Sequence, residues 1–436
     1  MPKIFVLSDN GTATGYGRIA DETFTRLVKR GYEVVAAGIN YDGLLPPMYE
    51  GERLPYWVSA LGGKDWLSES AKIISAFNPD IVCVIQDAPY AEGLRNAPLD
   101  WSKYGFIIVT PVDGAPIFPR WVENAQRADA VLNISQFGVD EYRKAGVEAT
   151  LLRPGVDGNR FYRLPDGERA ALRAKVGLAP EAFIVGTACM NQGRKAITLM
   201  MQAFFEFAAD KPSARYLMDM DPVSPAGWDI PAVCKQRGWD VSKILFRHDA
   251  MRLGLMDLRE RYNIMDAHMV ISHREGYGLP LAEAMACGVV SIAQDYCSGP
   301  EIVGEGRGML IPTTGYGVPG TWGGAEDYFP DMRALVMSLQ ALYDGPAERA
   351  VIAERGMKAA REWTWDSAAD AMQAAIDGVM ARRALIPPAQ LPMFPPQMPQ
   401  SAPPPVEVIV PDAMRLMEAD AVQLADVAFS VDGVKS

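Results

Sequence analysis

The chain has 436 residues, 49% of them apolar and 22% charged, with a formal net charge of −12. That balance fits two or three folded domains and excludes collagen, coiled coil and wholesale disorder. No apolar run reaches the roughly 18 residues of a membrane span. The opening MPKIFVLSDNG reads as a first strand and not as a signal peptide. Five scattered cysteines (Cys83, Cys189, Cys234, Cys287, Cys297) point to free thiols in a reducing compartment, so a cytoplasmic location is expected. The three histidines and the cysteines show no His-x-x-x-His or Cys-x-x-Cys spacing, so neither a metal site nor another cofactor is expected. Residues 1–160 carry 16 basic and 20 acidic side chains, and residues 161–384 carry 24 and 28. Without a basic run, nucleic acid is disfavoured as a partner, although folding can still gather a local patch.

Short β-branched runs alternate with helix-length segments. The first set of strand candidates is Ile4–Leu7, Val34–Ala37, Ile81–Ile85, Phe106–Val109, Ala130–Ile134 and Thr150–Leu152. The second is Ile184–Thr187, Arg215–Met218, Ile244–Phe246, His268–Ile271, Val289–Ile292 and Met309–Ile311. Strands apolar on both faces and separated by helices predict the α/β class, with two doubly wound, Rossmann-like parallel-sheet domains. The glycine- and charge-rich stretch near 155–175 marks the break. It gives an N-terminal domain over 1–165, a C-terminal domain over 166–362 and a following helix over 363–384. Residues 387–411 contain ten prolines, so the tail 385–436 is expected to be an extended arm with a short helix over Asp412–Ala428.

The segment VISHREGYGLPLAEAMACG (Val270–Gly288) carries most of the chemistry. A buried strand ends at Ile271, a glycine loop follows, and a helix opens near Leu279 with Pro280 in its first turn, where the missing N–H is tolerated. Gly276 and Gly278 let backbone amides approach a ligand, and the helix dipole behind them favours an anion such as phosphate. Glu275 and Glu283 bracket this anion site. Each carboxylate can accept two hydroxyl hydrogen bonds from a sugar diol; alternatively, Glu283 only complements the dipole and Glu275 is a solvated loop charge.

Glu-Gly-Tyr-Gly-Leu-Pro followed by Glu283-Ala-Met-Ala-Cys-Gly resembles the donor-site signature of the retaining group-1 glycosyltransferases, which have the GT-B fold. The likeness continues through Asp266-Ala267-His268, Ser298-Gly299-Pro300-Glu301-Ile302-Val303 and Gly308-Met309-Leu310-Ile311-Pro312. In the first domain it is carried by Ala128-Asp129-Ala130-Val131 through Ser135 and by Pro154-Gly155-Val156-Asp157 with Phe161. The resemblance covers about residues 1–383. It implies two domains facing across a cleft, with a nucleoside-diphosphate sugar held mainly by the second, an acceptor hydroxyl entering from the first, and no metal. Helix 363–384 is then expected to pack back toward the N-terminal domain.

Carried over residue by residue, Glu275 would touch the transferred sugar, Glu283 the ribose, and the Gly276-Tyr277-Gly278-Leu279 segment the sugar and diphosphate. Arg194 and Lys195, after strand Ile184–Thr187, would take the diphosphate. The family usually separates these two cations, with its arginine where Cys189 or Asn191 stands here; as plain residues they read equally as exposed helix-start charges. Gly15 and Gly17, in the first loop, would close over the diphosphate from the opposite domain, or else form a tight turn.

Asp113, where many relatives have a histidine nearby, either orients the acceptor hydroxyl and takes its proton or is a turn aspartate before glycine. Asp219-Met220-Asp221 resembles a metal-binding Asp-x-Asp, but it sits in a turn slot and is read as structural. Arg247 and His248 either lie where a nucleotide base would sit or are a surface polar pair, and His273 shapes the Glu275 loop. The stretch Gly315–Phe329 is longer than the family loop and is either a specificity loop or an insertion. Competing functions are transfer to a modified DNA base, sugar-nucleotide epimerisation and non-catalytic sugar-nucleotide binding.

Overall fold

The computed structural model describes residues 1–49, 52–246, 256–317 and 325–385, and all of these belong to one compact unit. The first sheet contains β1 (Lys3–Ser8), β2 (Glu33–Gly38), β5 (Trp57–Ala60), β6 (Ile81–Ile85), β7 (Gly105–Val109), β8 (Ala130–Asn133) and β9 (Thr150–Leu151). Between β2 and β5 lies a small hairpin of β3 (Met48–Tyr49) and β4 (Glu52–Arg53). The second sheet contains β10 (Ile184–Ala188), β11 (Arg215–Asp219), β12 (Ile244–Phe246), β13 (Ala267–Val270), β14 (Val290–Gln294) and β15 (Met309–Ile311). It is followed by an antiparallel hairpin of β16 (Thr313–Gly317) and β17 (Asp327–Pro330).

The sheet orders are β5-β2-β1-β6-β7-β8-β9 and β12-β11-β10-β13-β14-β15. All pairs within these two sheets are parallel. Helices cover the faces, so the central strands β6 and β7 are apolar throughout and fully buried. This is a pair of doubly wound α/β sheets in the GT-B arrangement.

Each order reverses once, between β1 and β6 in the first sheet and between β10 and β13 in the second. Loops leaving the carboxyl ends of strands on either side of a reversal diverge, and the crevice between them is where ligands bind in such sheets. The reversal in the first sheet therefore presents residues 9–14 and Gln86-Asp87, and that in the second presents residues 189–196 and 271–278.

The long helix Trp365–Leu385 buries Met372, Ile376 and Val379 and lies against the first sheet's helix Gly15–Lys29. Arg30 pairs with Asp370 at 2.7 Å, and the Tyr32 hydroxyl donates to Asp377 at 3.0 Å. The strand Trp57–Ala60 and the β16–β17 hairpin were not among the sequence-based expectations. The proline-rich arm and the Asp412–Ala428 helix lie outside the described residues.

Candidate functional site

The first loop is built around Thr14, the N-cap of helix Gly15–Lys29. Its hydroxyl accepts from the Gly17 amide at 3.0 Å and donates to Asp9 at 2.9 Å. A side chain at Gly17 would meet the Thr12 and Asp9 carbonyl oxygens at 2.5 and 2.6 Å, so that glycine is required by the turn itself. Gly15 has nothing within 4 Å of where a Cβ would stand. Of the two predicted glycines, only Gly15 borders open space.

On the opposite sheet, Arg194 and Lys195 lie in a 3-10 turn, Gly193–Lys195, and both reach Glu275. The Lys195 ammonium contacts the Glu275 carboxylate, Arg194 stands 3.8 Å from the same oxygen, and the Ser272 hydroxyl donates to it at 2.8 Å. Arg194 also donates to the Arg274 carbonyl at 2.9 Å and accepts from the His273 amide at 2.9 Å. These bonds tie the two loops of the second reversal together. Burial pushes the Glu275 carboxyl up, but the Lys195 ammonium and then the Arg194 guanidinium outweigh it and hold the acid at about 2. Glu275 is therefore a carboxylate at any physiological pH.

Lys195 is the deeper cation; Arg194 has the more exposed side chain and feels Asp113, Tyr16 and Asp87 of the first sheet. Burial weakens Arg194's charge, but the acids around it, Glu275 first, overcome that and raise its pKa. The adjacent cations thus divide the work, one anchoring Glu275 and the other facing the crevice.

The helix Leu279–Ala286 starts from Gly278, whose φ of +95° is a left-handed value suited to glycine. Pro280 has no N–H and the Leu281 amide donates to the Gly278 carbonyl at 2.9 Å, so an anion at this helix start would meet the amides of the preceding loop. A Cβ at Gly276 would lie 3.0 Å from Pro111, so the loop presses against the first domain beside Asp113. Tyr277 and Leu279 can meet a donor only through the backbone, as the segment's assignment requires. Both are buried, and the Tyr277 hydroxyl donates to the Pro154 carbonyl at 3.0 Å in the seam between the sheets. Only their backbone amides remain available to a donor.

Glu283 is 2% exposed, one turn into the helix. One oxygen contacts Arg18 of the first-loop helix, and the other accepts from the Tyr262 hydroxyl at 2.9 Å. Asp113 sits 4.0 Å from Arg274, which pairs with Asp327 at 2.6 Å, and the Asp113 carbonyl accepts from the Cys297 thiol at 2.9 Å. Nearby, the Tyr16 hydroxyl donates to Asp87 at 2.5 Å. Burial raises the Asp87 carboxyl's pKa, the Tyr16 hydrogen bond opposes the rise, and Asp113 adds to it.

The structure thus gathers Gly15, Arg194, Lys195, Glu275, Gly276, Gly278, Glu283 and Asp113 around one cleft. Arg18, Tyr16, Asp87, Tyr262, Ser272 and Arg274 join them without having been predicted. Asp87 was detectable, since it follows a fully apolar strand at the reversal. Arg18 directly follows Gly17, but its partner is 265 residues away.

The remaining candidates are structural. Asp219 is buried against Arg261 at 3.0 Å. Among the described residues, no group of three or more His, Cys, Asp or Glu is placed to hold a metal. Asn191 spends its amide on the Asp221 and Trp228 carbonyls and on the Trp228 N–H. His273 bonds the Tyr328 carbonyl at 2.9 Å and so fixes the β16–β17 hairpin. His268 is buried and accepts from the Ala188 amide at 3.2 Å. Arg247 and His248 lie outside the described residues.

A family model described as glycosyl transferases group 1 matches residues 251–316, the stretch that contains Glu275 and Glu283. Over this stretch the chain is similar to the group-1 glycosyltransferases. Curated proteins similar to this chain include the D-inositol 3-phosphate glycosyltransferase of Kineococcus radiotolerans, 26% identical over 53% of the chain and 52% of the relative. The protein of that name from Mycobacteroides abscessus is 30% identical over 62% of the chain and 56% of the relative. The chain spans about half the length of these curated relatives.

Among solved structures, sucrose-phosphate synthase from Thermosynechococcus elongatus aligns with a TM-score of 0.67 at 18% identity, covering 88% of this chain and 100% of that one. Anabaena HepE in complex with UDP-glucose aligns with a TM-score of 0.67 at 16% identity, covering 86% and 99%. At such identities these likenesses carry the fold.

Proposed function

We propose that this chain transfers a sugar from a nucleoside-diphosphate sugar to an acceptor hydroxyl, with retained configuration and without a metal ion. The observation that carries the reading is the convergence of Arg194, Lys195, Glu275 and the glycine loop that leads into helix Leu279–Ala286 on one cleft. Opening the glycosidic bond leaves positive charge on the sugar and negative charge on the departing diphosphate. In this reading Arg194 and the amides of loop 276–279 meet the diphosphate, while the Glu275 carboxylate faces the sugar. Groups already fixed at the growing charges lower the barrier without reorganising.

In this reading Glu283 takes the ribose hydroxyls and Gly15 lets the first loop close over the phosphates. Asp113 or the departing diphosphate receives the acceptor's proton. Retention and metal independence rest on the family resemblance, and the paired cations supply charge that a metal would otherwise provide. The five free cysteines fit a cytoplasmic location. Among the described residues no helix is long and apolar enough to cross a membrane.

The test is release of nucleoside diphosphate from a panel of UDP-, ADP- and GDP-sugars without an acceptor. The expected result is release from one donor class, lost in Arg194→Ala and Glu283→Ala. A wild-type protein that neither releases nor binds any nucleotide of the panel overturns the proposal.

A further inference from the structure

The β16–β17 hairpin crosses from the donor sheet to the acceptor side. The Glu326 amide donates to the Ala115 carbonyl at 2.9 Å, and the Ala115 amide donates to the Tyr296 hydroxyl at 2.8 Å, two residues from Asp113. Arg274 links Asp327 of the hairpin to Asp113 itself. On this base stands a column of four rings. Phe137 meets Tyr296 edge-on at 5.8 Å, Tyr296 lies 4.0 Å from Tyr328, and Tyr328 stacks on Tyr316 at 5.6 Å with 28° between planes. Tyr316 and Tyr328 are direct cross-strand partners, so they share a face.

The column begins in the first domain and ends at Tyr316, which is 60% exposed. An exposed ring held rigid by three buried or half-buried ones loses little conformational entropy when a flat apolar surface packs on it. The charge around it narrows the partner. The described hairpin residues 313–317 and 325–330 contain no lysine or arginine, and Glu326 and Asp327 lie beside the rings. Arg274 offsets the charge of Asp327, which leaves Glu326 to disfavour phosphate, whereas a neutral sugar offers C–H groups to the ring and hydroxyls to the carboxylates.

We infer that Tyr316, supported by Tyr328 and Tyr296, is a second acceptor subsite that stacks the outer ring of a neutral, at least disaccharide-sized saccharide whose reacting hydroxyl reaches Asp113. This deepens the proposed transfer reaction and rests on it. It also departs from the curated relatives, which are named for a phosphorylated acceptor.

The experiment measures binding, so it needs no turnover. Maltose, cellobiose and lactose are titrated against their constituent monosaccharides and against D-inositol 3-phosphate, with UDP, ADP or GDP present, by calorimetry and saturation-transfer NMR. At least one disaccharide is expected to bind about tenfold more tightly than its monosaccharides. Tyr316→Ala is expected to abolish that advantage and Tyr316→Trp to keep it. The inference is overturned if no disaccharide gains over its monosaccharides, if the gain survives in Tyr316→Ala, or if D-inositol 3-phosphate binds and the disaccharides do not. Failure of every nucleotide to bind would count against the transfer reaction, while the disaccharide comparison would still decide the subsite.

Discussion

The ion pair between Arg18 and Glu283 joins the first-loop helix of one sheet to the donor-side helix of the other, and its removal should be measurable in the unliganded protein. Glu283 keeps only 3% of its side chain exposed and Arg18 keeps 17%. Truncating one partner of a buried pair typically costs about 3–5 kcal/mol, because the other charge is left in a medium that solvates it poorly. Water reaches Arg18, and the Tyr262 hydroxyl still serves one Glu283 oxygen at 2.9 Å, so the expected cost of Arg18→Ala is at or below the low end, about 2–3 kcal/mol. Glu283→Gln in the same background removes the stranded charge and should restore part of the loss, giving a coupling of about 1–2 kcal/mol. Urea unfolding of the wild type, both single variants and the double variant, followed by tryptophan fluorescence, closes the cycle. Purely additive effects would refute the claim that these charges hold the two sheets together.

Other perturbations separate folding from ligand binding. Gly17→Ala should destabilise the first helix, since the new carbon would stand 2.5 Å from the Thr12 oxygen; Gly15→Ala should leave the urea midpoint in place and weaken nucleotide binding. Equal urea midpoints for the two would refute the distinction. Tyr277→Phe should lose about 1 kcal/mol of stability with its bond to Pro154 and leave nucleotide affinity intact; a fall in affinity would place the hydroxyl in the donor site. His268 is held neutral by burial, down to about 3. The unfolded chain therefore takes up a proton first as pH falls below about 6.5, and stability should drop by about 1.4 kcal/mol per unit between those values. His268→Gln should flatten that slope in urea titrations at pH 7.0 and 5.5, and an unchanged slope would contradict it.

The alternation of apolar runs and helices fixed both parallel sheets in advance, because strands buried on both faces leave a continuous hydrophobic signal. Trp57–Ala60 escaped because it is a four-residue edge strand with an exposed tryptophan, and only pairing with β2 makes it a strand. The β16–β17 hairpin escaped because four of the five residues of Thr313–Gly317 are glycine or threonine and most are exposed, so no core-facing pattern marks it. Glu275, Arg194 and Lys195 were legible as a motif. The short-range signal could not tell which side chains turn inward, so the burial of the Tyr277 ring and its bond to Pro154 were not legible. Arg18 acquires meaning only when the two sheets face each other, and Tyr16 only when β6 brings Asp87 beside the first loop; such pairings leave no trace in local sequence.

The central claim is that a diphosphate lies between the Arg194 guanidinium and the amides ahead of helix Leu279–Ala286. Calorimetric affinities for the matching nucleoside mono- and diphosphate test it most directly. The wild type should bind the diphosphate at least tenfold more tightly, and Arg194→Ala should bring the two affinities together. Equal affinities in the wild type, or a preference for the diphosphate that survives in Arg194→Ala, would contradict the account.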